Sequence, residues 1–143
     1  MKKAIVTGGA GFIGSHVVEL LLHQGYKVVA IDNLSNGQED NVTIFKNNHH
    51  YTFLKIDLFQ EFDDSLFQDT DYVFHLAALA DIVPSMENPL KYHNANVTAT
   101  ARVLEASRKN GIKKLIYSAS NSCYGLPDQY PTPETAEIRP EYP

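Results

Sequence analysis

The stretch Lys3-Ala4-Ile5-Val6-Thr7-Gly8-Gly9-Ala10-Gly11-Phe12-Ile13-Gly14-Ser15-His16 sets the fold expected of the whole chain. A short apolar run ends on glycines, and a helix begins within them. Two spacings overlap, Gly9-x-Gly11-x-x-Gly14 and Gly8-x-x-Gly11-x-x-Gly14. A strand-to-helix turn this tight needs glycine where φ is positive, and a second glycine lets backbone amides approach an anion with no Cβ between. The helix start then offers unpaired amides and a partial positive charge. Glycine spacing alone is weak evidence. A strand before it and a helix after it, inside a βαβ unit, give it the context of a dinucleotide-binding turn. A P-loop would end in Gly-Lys-Ser/Thr, and this turn does not.

Working outward, apolar runs alternate with helical periodicity, which points to an α/β fold with a parallel sheet. Strands are expected at residues 3–7, 27–32, 51–56, 72–76 and 114–118. The first helix covers residues 12–24, with Ile13, Val17, Leu20 and Leu21 on its apolar face, and Gly25 ends it. Asn88-Pro89 reads as a cap followed by a first-turn proline, opening a long helix over residues 89–110. Leu90, Val97, Ala101 and Leu104 are its apolar positions, and Gly111 stops it. Residues 33–50 are polar with an Asn36-Gly37 turn and no assigned helix, and residues 121–143 read as loop.

Asp32 closes the second strand 21 positions after Gly11. An acid there accepts hydrogen bonds from both hydroxyls of an adenosine ribose and repels a 2′-phosphate. No arginine follows between Asn33 and Asn48, so the residues favour NAD over NADP. The competing reading is that Asp32 caps a loop and the glycines only make a turn.

Length and composition fit one soluble domain: 143 residues, 43% hydrophobic and 20% charged. A net charge of −5 argues against a nucleic-acid binder, which neutralises phosphates over a long stretch. No apolar run reaches the 18 residues of a membrane span. One cysteine, Cys123, cannot form an internal disulfide, which fits a reducing compartment, and a cytoplasmic protein is expected. His49-His50 has no further ligand at metal-binding spacing, and no metal site is expected. His75 is expected to hydrogen-bond locally, and Cys123 to pack.

The glycine turn with Asp32-Asn33-Leu34-Ser35-Asn36-Gly37 resembles the extended short-chain dehydrogenase/reductase superfamily. More narrowly it is similar to the NAD-dependent nucleotide-sugar epimerase/dehydratase family, UDP-glucose and UDP-N-acetylglucosamine 4-epimerases among them. The likeness continues through Ile56-Asp57-Leu58, His75-Leu76-Ala77-Ala78, Asn88-Pro89, Asn96-Val97 and Ser118-Ala119-Ser120-Asn121-Ser122-Cys123-Tyr124-Gly125. It implies a Rossmann-like doubly wound parallel sheet. Residues 1–143 would form the NAD-binding domain, the N-terminal half of the extended fold, without the later strands and the sugar-nucleotide domain.

The resemblance also implies roles. Gly8, Gly11, Phe12 and Ile13 would contact the pyrophosphate, Asp32 and Asn33 the ribose, and Ser35 and Gly37 its surroundings. Asp57 and Leu58 would flank the adenine, and Leu76, Ala77 and Ala78 would line the path to the nicotinamide ribose. Ser118 would sit beside the cofactor. Ser120 would be the catalytic hydroxyl that hydrogen-bonds the sugar, and Ser122 would lie nearer the substrate; the bland alternative is three loop serines satisfying backbone groups. Residues 81–85 resemble branches acting on N-acetylated or acidic sugars, while Ala80 stands where some 4-epimerases carry a lysine.

The family's base is a tyrosine in a helical Tyr-x-x-x-Lys pair, whose lysine lowers the phenol pKa. No such pair follows Ser120, and Tyr142 reads as an ordinary loop tyrosine. The expected protein is therefore the NAD-binding part of a nucleotide-sugar 4-epimerase, truncated before its base and inactive alone, with a UDP-hexose as the parent's substrate. A non-catalytic dinucleotide-binding or interaction module, or a dehydratase fragment, is the alternative. The fifth strand would be an open sheet edge and the 89–110 helix would expose an apolar face, so a homo-oligomer is expected.

Overall fold

The computed structural model describes residues 1–141; Tyr142 and its expected loop role lie outside the described residues. Five parallel strands form one sheet in the order β3-β2-β1-β4-β5. They are β1 (Lys3–Thr7), β2 (Lys27–Asp32), β3 (Tyr51–Lys55), β4 (Tyr72–His75) and β5 (Lys114–Tyr117). The chain builds β1 to β3 in one direction, then returns past β1 to lay down β4 and β5. That reversal opens a crevice at the carboxyl ends of β1 and β4, where ligands of such sheets bind. The third, fourth and fifth strands each end one residue earlier than the apolar runs suggest.

Both faces of the sheet are covered, so β1 is apolar from Ala4 to Val6 and β2 from Val28 to Ile31 without alternation. Alternate side chains serve opposite layers, as the two-residue period of a strand requires. Ile5, Val29, Ile31 and Val73 pack with Phe67 and with Ala99, Val103 and Ala106 of α5 (Ala99–Lys109). Ala4, Val6, Val28 and Ala30 pack beneath Val18 and Leu21 of α1 (Phe12–His23).

Both long helices are turned from the orientation the sequence suggests. In α1 the inward positions are Gly14, Ser15, Val18 and Leu21; of the expected face Leu21 is buried and Val17 packs, partly buried, against the same core, while Ile13 and Leu20 are more than half exposed. A Cβ on Gly14 would come within 2.0 Å of the Gly8 carbonyl oxygen, so the helix meets the turn through this glycine. The buried face then follows Gly14, Val18 and Leu21, one residue on from Ile13, Val17 and Leu20.

The second rod is not a single α-helix. It runs as α4 (Pro89–His93), a π-helical turn (Asn94–Thr98) and α5. Asn88 caps it as expected, its Oδ1 accepting from Lys91 N at 3.3 Å. Its buried residues are Tyr92, Ala99, Val103, Ala106 and Ser107, whereas Leu90, Val97, Ala101 and Leu104 point outward. The rod is apolar on two sides, and along α5 it is Ala99, Val103 and Ala106 that face the sheet, small enough to let the backbone come close. Four pieces were not expected: the single turn α2 (Asp40–Thr43), α3 (Ile82–Glu87) and short 3₁₀ turns at Asp64–Phe67 and Asn121–Tyr124.

His75, at the end of β4, is 1% exposed. Its partners are distant in sequence rather than local: Nδ1 meets Thr7 Oγ1 at 2.6 Å and Nε2 meets Thr100 Oγ1 at 2.9 Å. Tyr117 of β5 stacks on the ring at 5.8 Å between centroids. The imidazole thus ties β1, β4 and α5 together.

Two outcomes are expected in urea unfolding. Val103→Ala costs about 2 kcal/mol, while Leu104→Ala stays within about 0.5 kcal/mol of the parent, and reversed sizes would contradict the helix orientation. Burial pushes the His75 imidazole down to about 4. An unfolded chain binds that proton near pH 6.5, before the folded one does, so stability is full above pH 6.5 and falls as pH drops toward 4. The loss reaches about 3 kcal/mol, and His75→Gln flattens the profile; an equally steep decline in that variant would assign it elsewhere.

Candidate functional site

The glycine turn is held in one shape by the strand beside it. Gly8 N and Gly9 N both donate to the Ile31 carbonyl, at 2.8 and 3.3 Å. Gly8 has φ +70, and a Cβ there would lie 2.8 Å from Ala77 N, so a side chain is refused on conformation and on space. Gly11 N donates to Gly8 O at 3.0 Å, and α1 starts at the next residue. No side chain caps that helix and no acid stands in its first turn. Its first amides therefore have no acceptor in the helix, and its positive end is not neutralised.

Asp32 sits against this turn, and it does cap a loop. Its Oδ2 accepts from Ala10 N at 3.0 Å and its Oδ1 from Leu34 N at 2.8 Å. Each carboxylate oxygen carries two lone pairs, so one on each remains for another donor. Structural and ligand-binding readings of Asp32 are compatible. The following loop is fastened to the turn as well: Gln38 N and Asn41 Nδ2 both donate to Ala10 O, at 3.0 and 2.9 Å. At Gly37 a Cβ would meet Ala10 Cβ at 2.7 Å, so the loop closes over the turn through a residue with no side chain.

A cleft of about 430 Å³ opens there, at the carboxyl ends of the strands. Gly8, Gly11 and Phe12 form its floor; Asp32, Asn33, Ser35 and Gly37 form one side. Asp57 and Leu58 after β3, and Leu76, Ala77 and Ala78 after β4, complete it. All twelve were singled out in the sequence. Ile13 does not line the cleft; it lies in the first turn of α1 and is 61% exposed. Also in the wall are Asn36, Ile56 and Phe59, neighbours of expected residues, and Leu79, Lys91, Ala95 and Ala99. The last three come from the α4–α5 rod, and no sequence pattern marks them as cleft residues.

The three serines lie outside this wall. Ser118, Ser120 and Ser122 are exposed, beyond β5 at the same end of the sheet. Ser118 N donates to His75 O at 3.2 Å. Ser120 Oγ accepts from Ser122 N at 3.1 Å and caps the turn Asn121–Tyr124. A tyrosine and lysine four apart occur at Tyr51 and Lys55, but on strand β3, where the two side chains are not one helical turn apart. The Tyr51 hydroxyl is buried with no partner, and burial raises its pKa to about 12, the opposite of what a base requires. Among the described residues no group of three His, Cys, Asp or Glu side chains is placed to hold a metal, and no helix is long and apolar enough to cross a membrane.

Comparison with known proteins agrees with this geometry. The profile of the "NAD dependent epimerase/dehydratase family" matches residues 4–143. The chain is 40% identical over 135 residues to a UDP-glucose 4-epimerase of Bacillus subtilis, covering 91% of this chain and 40% of that one. It superposes with a TM-score of 0.91 and 40% identity on a UDP-N-acetylglucosamine 4-epimerase from Methanobrevibacter ruminantium, solved with UDP-N-acetylmuramic acid, over 99% of this chain and 45% of that. A UDP-glucose 4-epimerase from Brucella ovis, solved with NAD, gives 0.84 at 34% identity, over 99% and 43%. The chain thus spans less than half the length of these relatives. With the family profile covering nearly every residue, this chain belongs to the NAD-dependent epimerase/dehydratase family.

Proposed function

We propose that this chain binds NAD and serves as the cofactor-holding part of a UDP-sugar 4-epimerase. The observation that carries the proposal is the meeting of an uncapped helix start with a carboxylate that keeps one free lone pair on each oxygen, within one cleft. The free amides of Phe12 and Ile13, in the first turn of α1, receive the pyrophosphate, and Gly8 and Gly11, whose own amides are bonded within the turn, let it approach with no Cβ in the way. Asp32, beside Asn33, accepts from the adenosine ribose hydroxyls, and Ser35 and Gly37 close over them. Asp57 and Leu58 flank the adenine. Leu76, Ala77 and Ala78 form the wall toward the nicotinamide, with Ser118 beyond.

When bound, NAD supplies a reversible hydride acceptor for one sugar carbon. This chain's part is to hold that acceptor in place and to offer the Ser120 hydroxyl, whose proton is free to bond the sugar oxygen while its Oγ caps the turn. Ser122 approaches the sugar. The 143 residues hold no helical Tyr-x-x-x-Lys pair, so the proton-abstracting step is not theirs. A UDP-sugar bearing an N-acetyl or acidic group is the favoured substrate of the whole enzyme, on the resemblance of residues 81–85 and the ligand of the Methanobrevibacter relative. We place the protein in the cytoplasm on its single cysteine.

In calorimetry NAD binds and NADP binds at least about tenfold more weakly, a difference of about 1.4 kcal/mol. Asp32→Ser narrows that gap, because the charge that opposes the 2′-phosphate is gone. Equal binding of both dinucleotides, or binding of neither, contradicts the proposal. With UDP-glucose or UDP-N-acetylglucosamine the chain alone shows no epimerisation, and clear turnover would return the missing base to these residues.

The outward apolar residues of the rod, Leu90, Val97 and Leu104, lie near Ile82, Val83 and Met86 of α3 in the chain, and all six are about half exposed or more. Together with the open edge at β5, they support pairing with a second copy. Sedimentation of the parent shows a dimer or larger species, and Leu90→Glu with Leu104→Glu shifts it to monomer. A parent that stays monomeric at high concentration rules this pairing out.

A further inference from the structure

The cleft wall after β4 is clamped at both ends. At its start, Thr7 Oγ1 accepts from Leu76 N at 3.2 Å and Ala77 N at 3.3 Å. At its far end, Asn96 in the π-helical turn accepts from Leu79 N at 2.8 Å and donates to Leu79 O at 2.9 Å. His75 stands between the clamps, bonded to Thr7 through Nδ1 and to Thr100 through Nε2.

The directions of these bonds follow from counting protons. A threonine hydroxyl has one proton and two lone pairs. Thr100 gives its proton to the Asn96 carbonyl, at 2.6 Å, so toward the ring it only accepts. Nε2 must therefore carry the imidazole proton, which leaves Nδ1 as an acceptor. Thr7 spends its own proton on Nδ1 and keeps its two lone pairs for the amides of Leu76 and Ala77. Each hydroxyl and ring proton meets one acceptor, Leu76 N is shared between the Thr7 hydroxyl and the Thr7 carbonyl, and the chain runs from Leu76 and Ala77 through Thr7, His75 and Thr100 to the main chain of Asn96. The side chain of that same Asn96 holds Leu79.

We propose that His75 is a positioning residue: fixed as the Nε2–H tautomer by Thr100, it couples the two clamps so that the wall from Leu76 to Leu79 is set against the glycine turn as one unit. Its main chain extends the coupling, since the His75 carbonyl accepts from Ser118 N and so anchors the exit of β5 toward Ser120. His75 does not line the cleft. The consequence for ligand affinity rests on the NAD reading above, but the tautomer and the coupling rest on the bonds alone.

The test is ¹⁵N NMR of the whole chain with labelled histidine at neutral pH, with hydrogen exchange followed at Leu76, Ala77 and Leu79. The expected His75 signals are a protonated Nε2 and a bare Nδ1. Thr100→Val keeps the shape and deletes the acceptor; it speeds exchange at Ala77 and Leu79 together by about fivefold or more and weakens NAD binding by a similar factor, the size of one neutral hydrogen bond. Thr100→Ser restores both, which a loss of packing alone would not predict. An Nδ1–H tautomer, faster exchange at Leu79 with Ala77 unchanged, or no rescue by serine overturns the proposal. If Thr100→Val does not fold, the tautomer of the parent still decides. A parent chain that shows the expected tautomer and exchange but ignores NAD overturns the cofactor reading and leaves the coupling standing.

Discussion

The approach of α1 to the turn that precedes it is the contact on which the site depends. Gly14 lies so close to the Gly8 carbonyl that no side chain fits between them. This contact fixes the helix axis over β1 and β2, turns Val18 and Leu21 into the core, and aims the uncapped amides of the first turn at the crevice beside β1 and β4. Binding geometry and core packing are therefore one feature. A shift of α1 that turned those amides away from the crevice would also uncover the apolar layer beneath it, whose burial is worth roughly 25 cal/mol for each Å² removed from water.

The strands and the glycine turn were legible because their signals are local. Apolar runs bounded by glycine or polar residues place all five strands to within a residue at their carboxyl ends. Helix orientation was not legible, because it depends on how near the backbone can come to the sheet. In α1 the large residues Ile13 and Leu20 suggest one face and the glycine selects the next. In the 89–109 rod the larger apolar stripe, Leu90 with Val97 and Leu104, is the outer one, and alanines mark the inner one. Apolar periodicity alone does not separate a face that packs on the sheet from one that awaits another surface. The π-helical turn is invisible for a related reason: Asn96 was marked by the family likeness, but its pairing with Leu79, 17 residues away, has no local signal.

Of the site, the part carried by backbone and by strand ends could be read, and the part carried across the fold could not. Gly8, Asp32, Asp57 and Ala77 follow strands, so sequence order places them at one edge of the sheet. Lys91, Ala95 and Ala99 reach the cleft from a rod whose turn toward it depends on the wide segment in its middle. Tyr51 and Lys55 show the reverse hazard, a familiar spacing whose meaning disappears on a strand. For His75 the expected local bonding failed because neighbours in a parallel sheet are far apart in sequence; its threonine partners are 68 and 25 residues away.

The bonds around the cleft are nearly all between parts of the chain that surround it. Asp32 is held by Ala10 and Leu34, the loop after β2 by Ala10, and the wall after β4 by Thr7 and Asn96. None of these waits for a ligand, so binding orders little new backbone, and the entropy that ordering would take from the affinity is spent when the chain folds. Past Ser118, whose amide is tied to the His75 carbonyl, the situation is the opposite as far as Ser122. Those residues are exposed, and Ser120 bonds only to its own turn. The chain thus joins a cleft whose walls are held by their own bonds to an exposed segment whose bonds are local.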